Sequence, residues 1–274
     1  MLKDKKILII GANSDIAKSL INYLLPLGAK IFATYRKNLP KSSNNFTPLF
    51  LDICDENSYF EFGKNIINLK FDTVINFSGV AITSPVSNLK PDDLRYQMEV
   101  SVIGFSRLLS FIYPYLNKNS KVINISSMAS FGIFPFISPY CAAKAASDII
   151  LNAFEIETGI KCVSIKPGVV KTKFWQYCID LNKENFANFN NEYTEIGRFL
   201  LDNAKKNAKK GLLPDEAAKV ILKAIKSKNP KKSYLIGKDA HFASYSRFIP
   251  KKILNFLIRK TLHYKVRKFL NERK

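Results

Sequence analysis

The chain is 274 residues long and 47% hydrophobic, which suits one large α/β domain or at most two small ones. Its four Cys are scattered and its two His lie late, so we expect no disulfide framework, no metal ion and no His-based triad. The net charge of +21 leaves an anionic membrane, an anionic ligand, nucleic acid or a merely solvated basic face as alternatives.

The N-terminal stretch MLKDKKILIIG predicts a first strand rather than a signal peptide, because its apolar run is short and ends at Gly11. The uncharged segment 122–143 contains Asn124, several Ser and two Pro, which disfavours a bilayer span. We therefore expect a cytoplasmic protein without a transmembrane helix.

Short apolar strands alternate with helical patterns through the first two-thirds of the chain. Strands are predicted at residues 6–10, 30–34, 47–51, 73–77, 121–125 and 161–165. Helices are predicted at residues 15–25, 56–69, 92–115 and 139–157. This alternation predicts a Rossmann-type doubly wound sheet of about seven parallel strands with helices on both faces.

The pattern loosens after Pro167. Residues 175–211 look irregular and helical, 215–227 form a predicted helix, and 234–236 form a short last strand. The tail places apolar residues at helical spacing with basic residues between them. These are Leu254, Leu257, Ile258, Leu262, Val266 and Phe269.

Gly11 follows the first predicted strand, and a helix begins about four residues later. This layout binds phosphate through backbone N–H groups and the helix dipole. Asn13 and Ser14 add polar groups, and Ala17 is small enough for the helix to approach the sheet. We expect Asp15 to cap the helix with its carboxylate turned away from the phosphates.

The second predicted strand ends in Tyr35 and Arg36, without an acidic residue. NAD-specific sites commonly place a carboxylate here for the ribose hydroxyls, whereas an Arg suits the 2′-phosphate of NADP. Arg36 therefore predicts NADP(H) as the cofactor. The alternative is an ordinary surface Arg at the end of a strand.

Tyr140 and Lys144 lie four residues apart and so share one face of a predicted helix. A phenol has an unperturbed pKa of about 10, too high for acid–base work at neutral pH. A nearby ammonium, together with an oxidised nicotinamide ring, is expected to lower that pKa. The Ser127 hydroxyl is then available to hold the substrate oxygen.

These features resemble the short-chain dehydrogenase/reductase family, over residues 5–240. Ser127, Tyr140 and Lys144 match its catalytic Ser, Tyr and Lys, with 13 residues from the Ser to the Tyr. The runs LDI, NFSG and PGVVKT match its adenine, fourth-strand and nicotinamide motifs in order. The resemblance implies these cofactor-binding residues: Gly11, Asn13, Ser14, Asp15, Ile16, Arg36, Asp52, Ile53, Asn76, Ser78, Gly79, Tyr140, Lys144, Pro167, Gly168, Val170 and Thr172.

Three residues depart from the family pattern. Asp15 and Ala17 replace the second and third Gly of its Gly-x-x-x-Gly-x-Gly loop. Ser101 replaces an Asn that holds a proton-relaying water in relatives. Because its hydroxyl can still bind a water, we predict Ser101 as a fourth catalytic residue with slower or rerouted proton delivery. These departures leave a catalytically silent NADP-binding scaffold as an alternative.

The resemblance implies hydride transfer between nicotinamide and a substrate carbonyl carbon. Tyr140 gives or takes the proton, Ser127 orients the oxygen, and Lys144 binds the nicotinamide ribose. It also implies one catalytic domain over residues 1–240, a substrate lid at about 173–212 and an extension over 241–274. Homodimers or homotetramers are expected through helices 92–115 and 139–157.

Apolar residues surround the reacting position in the sequence and favour a hydrophobic substrate, with core packing as the alternative. They are Met128, Phe131, Ile133, Phe134, Phe136, Ile137, Phe174 and Trp175. With the C-terminal extension they resemble steroid-, retinoid- or lipid-directed reductases more than ketoacyl-carrier-protein reductases. A 3-oxoacyl or sugar/polyol reductase of the same family is the alternative.

Residues 247–274 hold ten Lys or Arg and one Glu. A basic amphipathic helix of this kind lies on an anionic bilayer, covers the substrate cleft or packs at a subunit interface. No nucleic-acid partner is expected, because charge alone supports one and no recognised binding motif accompanies it.

Overall fold

A computed structural model describes residues 2–37, 42–187 and 193–271. Its strands are β1 (Lys6–Ile10), β2 (Lys30–Tyr35), β3 (Phe46–Phe50), β4 (Phe71–Asn76), β5 (Leu116–Ile125), β6 (Lys161–Pro167) and β7 (Ser233–Ile236). In this part of the chain seven parallel strands form one sheet, in the order β3-β2-β1-β4-β5-β6-β7. The predicted doubly wound sheet is confirmed. Successive strands are added on one side of β1 up to β3, and on its other side from β4 onward. Doubly wound sheets bind ligands at the carboxyl ends of the two strands where the order changes, here β1 and β4.

Helices cover both faces of the sheet and extend beyond its last strand. They are α1 (Asp15–Leu24), α2 (Glu56–Ile66), α3 (Pro91–Met98), α4 (Gly104–Ile112), α5 (Ser138–Thr158), α6 (Phe174–Leu181), α7 (Lys183–Ala187), α8 (Thr194–Lys210), α9 (Pro214–Lys226), α10 (Lys238–Tyr245) and α11 (Lys251–Asn271). Residues 188–192 of the predicted lid and 272–274 of the predicted extension lie outside the described residues.

The apolar run of β1 is buried on both sides of the sheet. Ile7 and Ile9 belong to the core beneath α1 and α9, while Leu8 and Ile10 belong to the core beneath α2 and α4. Successive side chains of a strand point to opposite faces, so a strand covered on both sides is apolar throughout. This is why the uninterrupted apolar runs predicted parallel strands.

The predicted helix over residues 92–115 is interrupted. After α3 the backbone widens into a π-helical turn at Glu99–Ile103 and then continues as α4. At Gly104 an added Cβ would lie only 2.9 Å from the carbonyl oxygens of Glu99 and Ile53, so a residue without a side chain is required there. One wide turn changes the apolar spacing too little to be visible in the sequence. It contains Ser101.

The tail forms the long helix α11, and its predicted apolar stripe faces the protein except at Leu257, which is 44% exposed. Leu254, Ile258, Leu262 and Val266 are half-buried. Phe269 is buried, with its ring 5.7 Å from that of Phe199 on α8. No helix within the described ranges is both long and apolar enough to cross a membrane.

Candidate active site

The three predicted catalytic residues meet at the carboxyl end of β5. Ser127 follows this strand, and its Oγ accepts a hydrogen bond of 3.1 Å from the Ala129 amide. Tyr140 and Lys144 project from α5, and the Tyr140 phenol lies beside the Ser127 hydroxyl. The Lys144 Nζ lies 5.8 Å from the centre of the Tyr140 ring, and all three residues line one cavity. The structure therefore brings the predicted catalytic residues together.

The electrostatics of Tyr140 differ from the sequence-based expectation. Burial raises the pKa of Tyr140, with a smaller opposing effect from the Ser127 hydroxyl. Burial also lowers the pKa of Lys144 to about 8, against the opposing effect of the Asp148 carboxylate. The Lys144 Nζ donates to the Ile125 carbonyl oxygen at 2.8 Å rather than to the phenol. Tyr140 is therefore protonated at neutral pH, the form that donates a proton to a carbonyl oxygen.

A buried ion pair supports the turn that follows Ser127. Lys166, near the end of β6, pairs with Asp148 on α5 and also donates to the Ser130 Oγ at 2.8 Å. Asp148 accepts a further 2.7 Å bond from the Ser164 hydroxyl. This network joins β6, α5 and the serine turn, so it fixes Ser127 relative to the helix that carries Tyr140. Nothing in the local sequence pattern pointed to it.

A groove along the carboxyl end of the sheet continues from the catalytic cavity. It encloses about 470 Å³, and the two spaces share Ser14, Ser78, Gly79 and Thr172 among their lining residues. Gly79 allows a close approach, because an added Cβ would lie 3.3 Å from the Lys144 Nζ. An extended dinucleotide fits this arrangement, with one end beside α1 and β2 and the other beside Tyr140.

The predicted cofactor residues lie along these two spaces, with one exception. All of them except Asn76 line the groove or the catalytic cavity. Asn76 is buried behind the groove, where its Nδ2 donates to the Asn124 Oδ1 at 2.9 Å and its Oδ1 accepts from the Ser78 amide at 3.1 Å. The predicted contact with the cofactor stays a prediction for this residue. Asn76 positions Ser78 and joins β4 to β5.

The turn between β1 and α1 keeps its shape although Asp15 and Ala17 replace two glycines of the family loop. Gly11 has a φ of +78°, and its amide donates to the Thr34 Oγ1 at 3.1 Å. Ala17 is fully buried against the sheet. The predicted cap by Asp15 is wrong, since Ser14 is the cap position and Asp15 Oδ2 instead accepts a 2.6 Å bond from the Lys173 amide. The carboxylate thereby joins the nucleotide loop to the start of the lid.

Arg36 lies at the other end of the groove, as the sequence predicts. Its Nη1 is 3.7 Å from an Asp52 carboxylate oxygen. Its guanidinium lies beside the phenols of Tyr96 and Tyr177. The neighbourhood of Asp52 and both phenols raises the pKa of Arg36, although burial opposes this. The two tyrosines belong to α3 and α6, far from Arg36 in sequence, so spacing could not reveal them.

Ser101 is buried next to Gln97. The Gln97 Nε2 donates to the Ser101 Oγ at 3.1 Å and to the Val80 carbonyl oxygen at 3.0 Å. Among the hydrogen bonds of the described residues, none joins Ser101 directly to Lys144. The relay predicted for Ser101 therefore requires a bridging water and stays a prediction.

The catalytic cavity is mostly apolar and measures about 210 Å³. Of the residues predicted from the sequence, Met128, Phe134, Ile137, Phe174 and Trp175 line it. Cys178, Ile179 and Phe186 from the lid helices complete its apolar wall.

The other three predicted apolar residues lie elsewhere. Ile133 is exposed. The Phe131 ring lies against Lys166, with the ammonium 4.4 Å from its centre, and the Phe136 ring contacts Tyr193.

Helix α10 supports the motif expected beside the nicotinamide. Asp239 Oδ2 accepts a 2.6 Å bond from the Val169 amide, and its carboxylate packs directly on Gly168. The part of the chain beyond the last strand therefore holds this turn in place. The sequence signal was an Asp at the beginning of a helix, which is too common to identify such a contact.

The sequence profile of the short chain dehydrogenase family matches residues 5–181, more than half of the chain. The chain belongs to the short-chain dehydrogenase family. This confirms the predicted family, a family of oxidoreductases, and its Ser, Tyr and Lys occupy one site here.

Relatives of this short-chain dehydrogenase carry several reductase names. It is 27% identical to a 3-amino-tetrahydro-pyrrolizinone reductase of Xenorhabdus hominickii, over 89% of this chain and 91% of the relative. It is 28% identical to an NADPH-dependent 3-dehydrocapnine reductase of Ornithobacterium rhinotracheale, over 93% and 96% respectively. It is also 24% identical to a 3-ketodihydrosphingosine reductase of Bacteroides thetaiotaomicron, over 92% and 96%.

A solved structure shares the fold. A short chain dehydrogenase from Burkholderia cenocepacia J2315, in complex with NADP, is 18% identical with a TM-score of 0.75. The similarity covers 94% of this chain and 98% of that one. At this identity the likeness concerns the fold alone.

Proposed function

We propose that this dehydrogenase is an NADPH-dependent reductase that acts on the ketone of a hydrophobic, lipid-like substrate. One observation carries the proposal: Ser127, Tyr140 and Lys144 face an apolar cavity that opens into a groove ending at Arg36. The carbonyl would lie at the polar end of the cavity, beside the serine and the phenol.

The protein residues position the substrate and supply the proton. When bound in the groove, NADPH supplies the hydride that adds to the carbonyl carbon. The Ser127 hydroxyl donates a hydrogen bond to the carbonyl oxygen, and Tyr140 transfers its proton to that oxygen as the alcohol forms. Lys144, with a pKa of about 8, carries a proton at neutral pH that can return to Tyr140. Ser101 is proposed to feed this route through a water held beside Gln97.

The apolar wall of the cavity supports a substrate with a hydrocarbon portion. Phe134, Ile137, Phe174 and Trp175 converge on the space above Tyr140. A relative of this chain is named for the ketone of a sphingoid lipid, which combines such a portion with a polar end. Sugars and polyols lack the apolar surface that this wall would bury, which disfavours the polyol alternative.

A substrate panel tests the proposed function. Oxidation of NADPH would be measured with 3-keto lipids of increasing chain length, a small aliphatic ketone and a ketose. Each buried CH₂ contributes about 0.8 kcal/mol, so kcat/KM should rise roughly fourfold per CH₂ until the cavity is filled. Phe134→Ser should flatten this dependence, whereas the exposed Ile133→Ser should not. Activity independent of chain length would contradict the lipid class, and inactivity on every substrate would favour the scaffold.

We propose that the region around α10 docks on an anionic membrane. Large apolar side chains are exposed there, with Phe242 81%, Phe248 71% and Phe256 63% accessible. Arg247, Lys251 and Lys252 lie between them in the sequence. Aromatic rings flanked by cations are the composition of an interfacial anchor. Ser246 contacts the Phe131 carbonyl at 3.4 Å, so the docked region adjoins the serine turn.

Vesicle cosedimentation tests the docking. The full chain should sediment with phosphatidylglycerol-containing vesicles, less so in high salt, and not with phosphatidylcholine alone. Each cation near the surface contributes about 1 kcal/mol, so replacing Arg247, Lys251 and Lys252 by Gln should weaken binding on the order of 10²-fold. The same change at three exposed Lys around α9 (Lys223, Lys226 and Lys231) removes equal charge and serves as the control. Equal effects of the two sets would mean that the attraction to the vesicles depends on net charge alone and not on the region around α10.

We also propose a homo-oligomer through the exposed apolar face of α5. Ile149 and Ile156 are 71% and 77% accessible and lie seven residues apart on this helix. Two helical turns separate them, so they share one face. Burial against a second copy removes this apolar surface from water.

A further inference from the structure

Tyr177 is a lid residue that reaches into the cofactor groove. It lies in α6 and lines the groove opposite Asp52, whereas the lid was expected to serve the substrate. Its phenol oxygen is 3.4 Å from that of Tyr96 on α3. Three elements distant in sequence thus converge on the end of β2, where Arg36 is located.

The groups at this point have the chemistry that binds a phosphate. The Arg36 guanidinium lies beside both phenols, and its Nη1 is 3.7 Å from an Asp52 carboxylate oxygen. Burial and the neighbouring Tyr177 raise the pKa of Tyr96 to about 12, so its phenol stays neutral and can donate. A neutral phenol can accept a hydrogen bond and still donate its own proton to a second partner. The mutual contact of the two phenols uses one such proton and leaves the other for a ligand.

Tyr177 is held in place because α6 is anchored near both ends. Before the helix, the Lys173 amide donates to Asp15 at 2.6 Å. After it, the buried Asn182 accepts from the Thr83 amide at 2.7 Å and donates to the Ala81 carbonyl oxygen at 2.8 Å. The Asp15 contact spans the groove at the nucleotide loop. With both attachments made, the helix covers the groove and its phenol faces Arg36.

We propose that Tyr177 and Tyr96 determine specificity for NADP(H), by completing with Arg36 a site for the 2′-phosphate that the lid helix closes. The proposal rests on the proposed NADP(H) function and adds two residues to it. Removing either hydroxyl should weaken binding of the phosphorylated cofactor alone. A hydroxyl that merely latched the lid would affect both cofactors alike, because NAD(H) passes beneath the same helix.

Binding measurements without substrate test the proposal. Kd values for NADP⁺, NAD⁺, 2′-phosphorylated AMP and AMP would be determined by calorimetry and by fluorescence of Trp175, the only Trp of the chain. Tyr177→Phe, at the phenol that lines the groove, should raise the Kd for NADP⁺ and for 2′-phosphorylated AMP roughly tenfold, the effect of one hydrogen bond to a charged group. Tyr96→Phe removes only the partner that orients this phenol, so it should raise the same two Kd values by a smaller factor. The Kd for NAD⁺ and for AMP should stay unchanged. Tyr245→Phe, at an exposed tyrosine of α10, is the matched control.

The Arg36→Gln background supplies a second test. If the phenols and the guanidinium bind one phosphate, Tyr177→Phe should lose most of its effect on NADP⁺ there, since interacting groups are not additive. An equal loss for NADP⁺ and NAD⁺, or no loss for either, overturns the proposal. A wild-type chain without preference for NADP⁺ contradicts the proposed NADP(H) function instead. The two failures are distinguishable, because the first is read from the variants and the second from the wild-type chain.

Discussion

Replacing Tyr140 by Phe is expected to lower kcat for ketone reduction by about 10²–10⁴-fold, the usual contribution of a positioned proton donor. The phenol shares the cavity with Ser127, and its raised pKa keeps the proton available. Phe keeps the ring and removes only the hydroxyl. The packing on α5 should therefore persist, and the Kd for NADPH should change little. Steady-state kinetics with a separate NADPH titration measure both effects.

The control for Tyr140→Phe is Tyr113→Phe, which removes the hydroxyl of an exposed tyrosine outside the cavity. It should leave kcat and the melting temperature unchanged. A Tyr140→Phe protein that folds, binds NADPH and keeps near-normal turnover would falsify the assignment of the proton donor. Loss of turnover together with loss of NADPH binding would instead place Tyr140 among the residues that hold the cofactor.

Replacing Arg36 by Asp is expected to weaken NADPH binding far more than NADH binding. A hydrogen bond to a charged group contributes about 1.5–3 kcal/mol, which corresponds to roughly 10–150-fold in Kd. The new carboxylate beside Asp52 adds repulsion toward the 2′-phosphate but none toward a ribose hydroxyl. The Kd for NADH should therefore stay similar or decrease. Titrations with both reduced cofactors give the ratio directly.

Two further variants separate the causes of that effect. Arg36→Gln removes the positive charge without adding a negative one, so its effect should be intermediate. Arg259→Asp, on an exposed part of α11, changes the net charge by the same two units and should leave both affinities unchanged. Equal weakening of NADPH and NADH by Arg36→Asp would mean that Arg36 supports the groove without recognising the phosphate.

The sheet was predictable because parallel strands buried on both faces must be apolar throughout. The predicted strand at residues 6–10 coincides with β1, and the others differ from the observed bounds by a few residues. That Ser127, Tyr140 and Lys144 meet in one cavity was predictable for a related reason. Ser127 ends a strand, and Tyr140 and Lys144 share one helix face, so local geometry already places them together.

Asp15 was misread because its partner is distant in sequence. An acidic residue at the start of a helix usually serves the helix itself. Here the Asp15 carboxylate accepts a hydrogen bond from the Lys173 amide, 158 residues further along the chain. The motif around Asn76 predicted a ligand contact and gave no sign that its amide is hydrogen-bonded to Asn124 within the protein. In both cases the competing partner comes from a different element.

The sequence by itself determined the family, the sheet, the shared site of Ser127, Tyr140 and Lys144, and the placement of Arg36 at the end of β2. These depend on residues close in the chain or on periodicity along one element. Only the tertiary structure decided which way the Asp15 carboxylate turns, that Tyr177 and Tyr96 surround Arg36, and that burial keeps Tyr140 protonated. Each depends on desolvation or on contacts between elements far apart in sequence, which no local pattern contains.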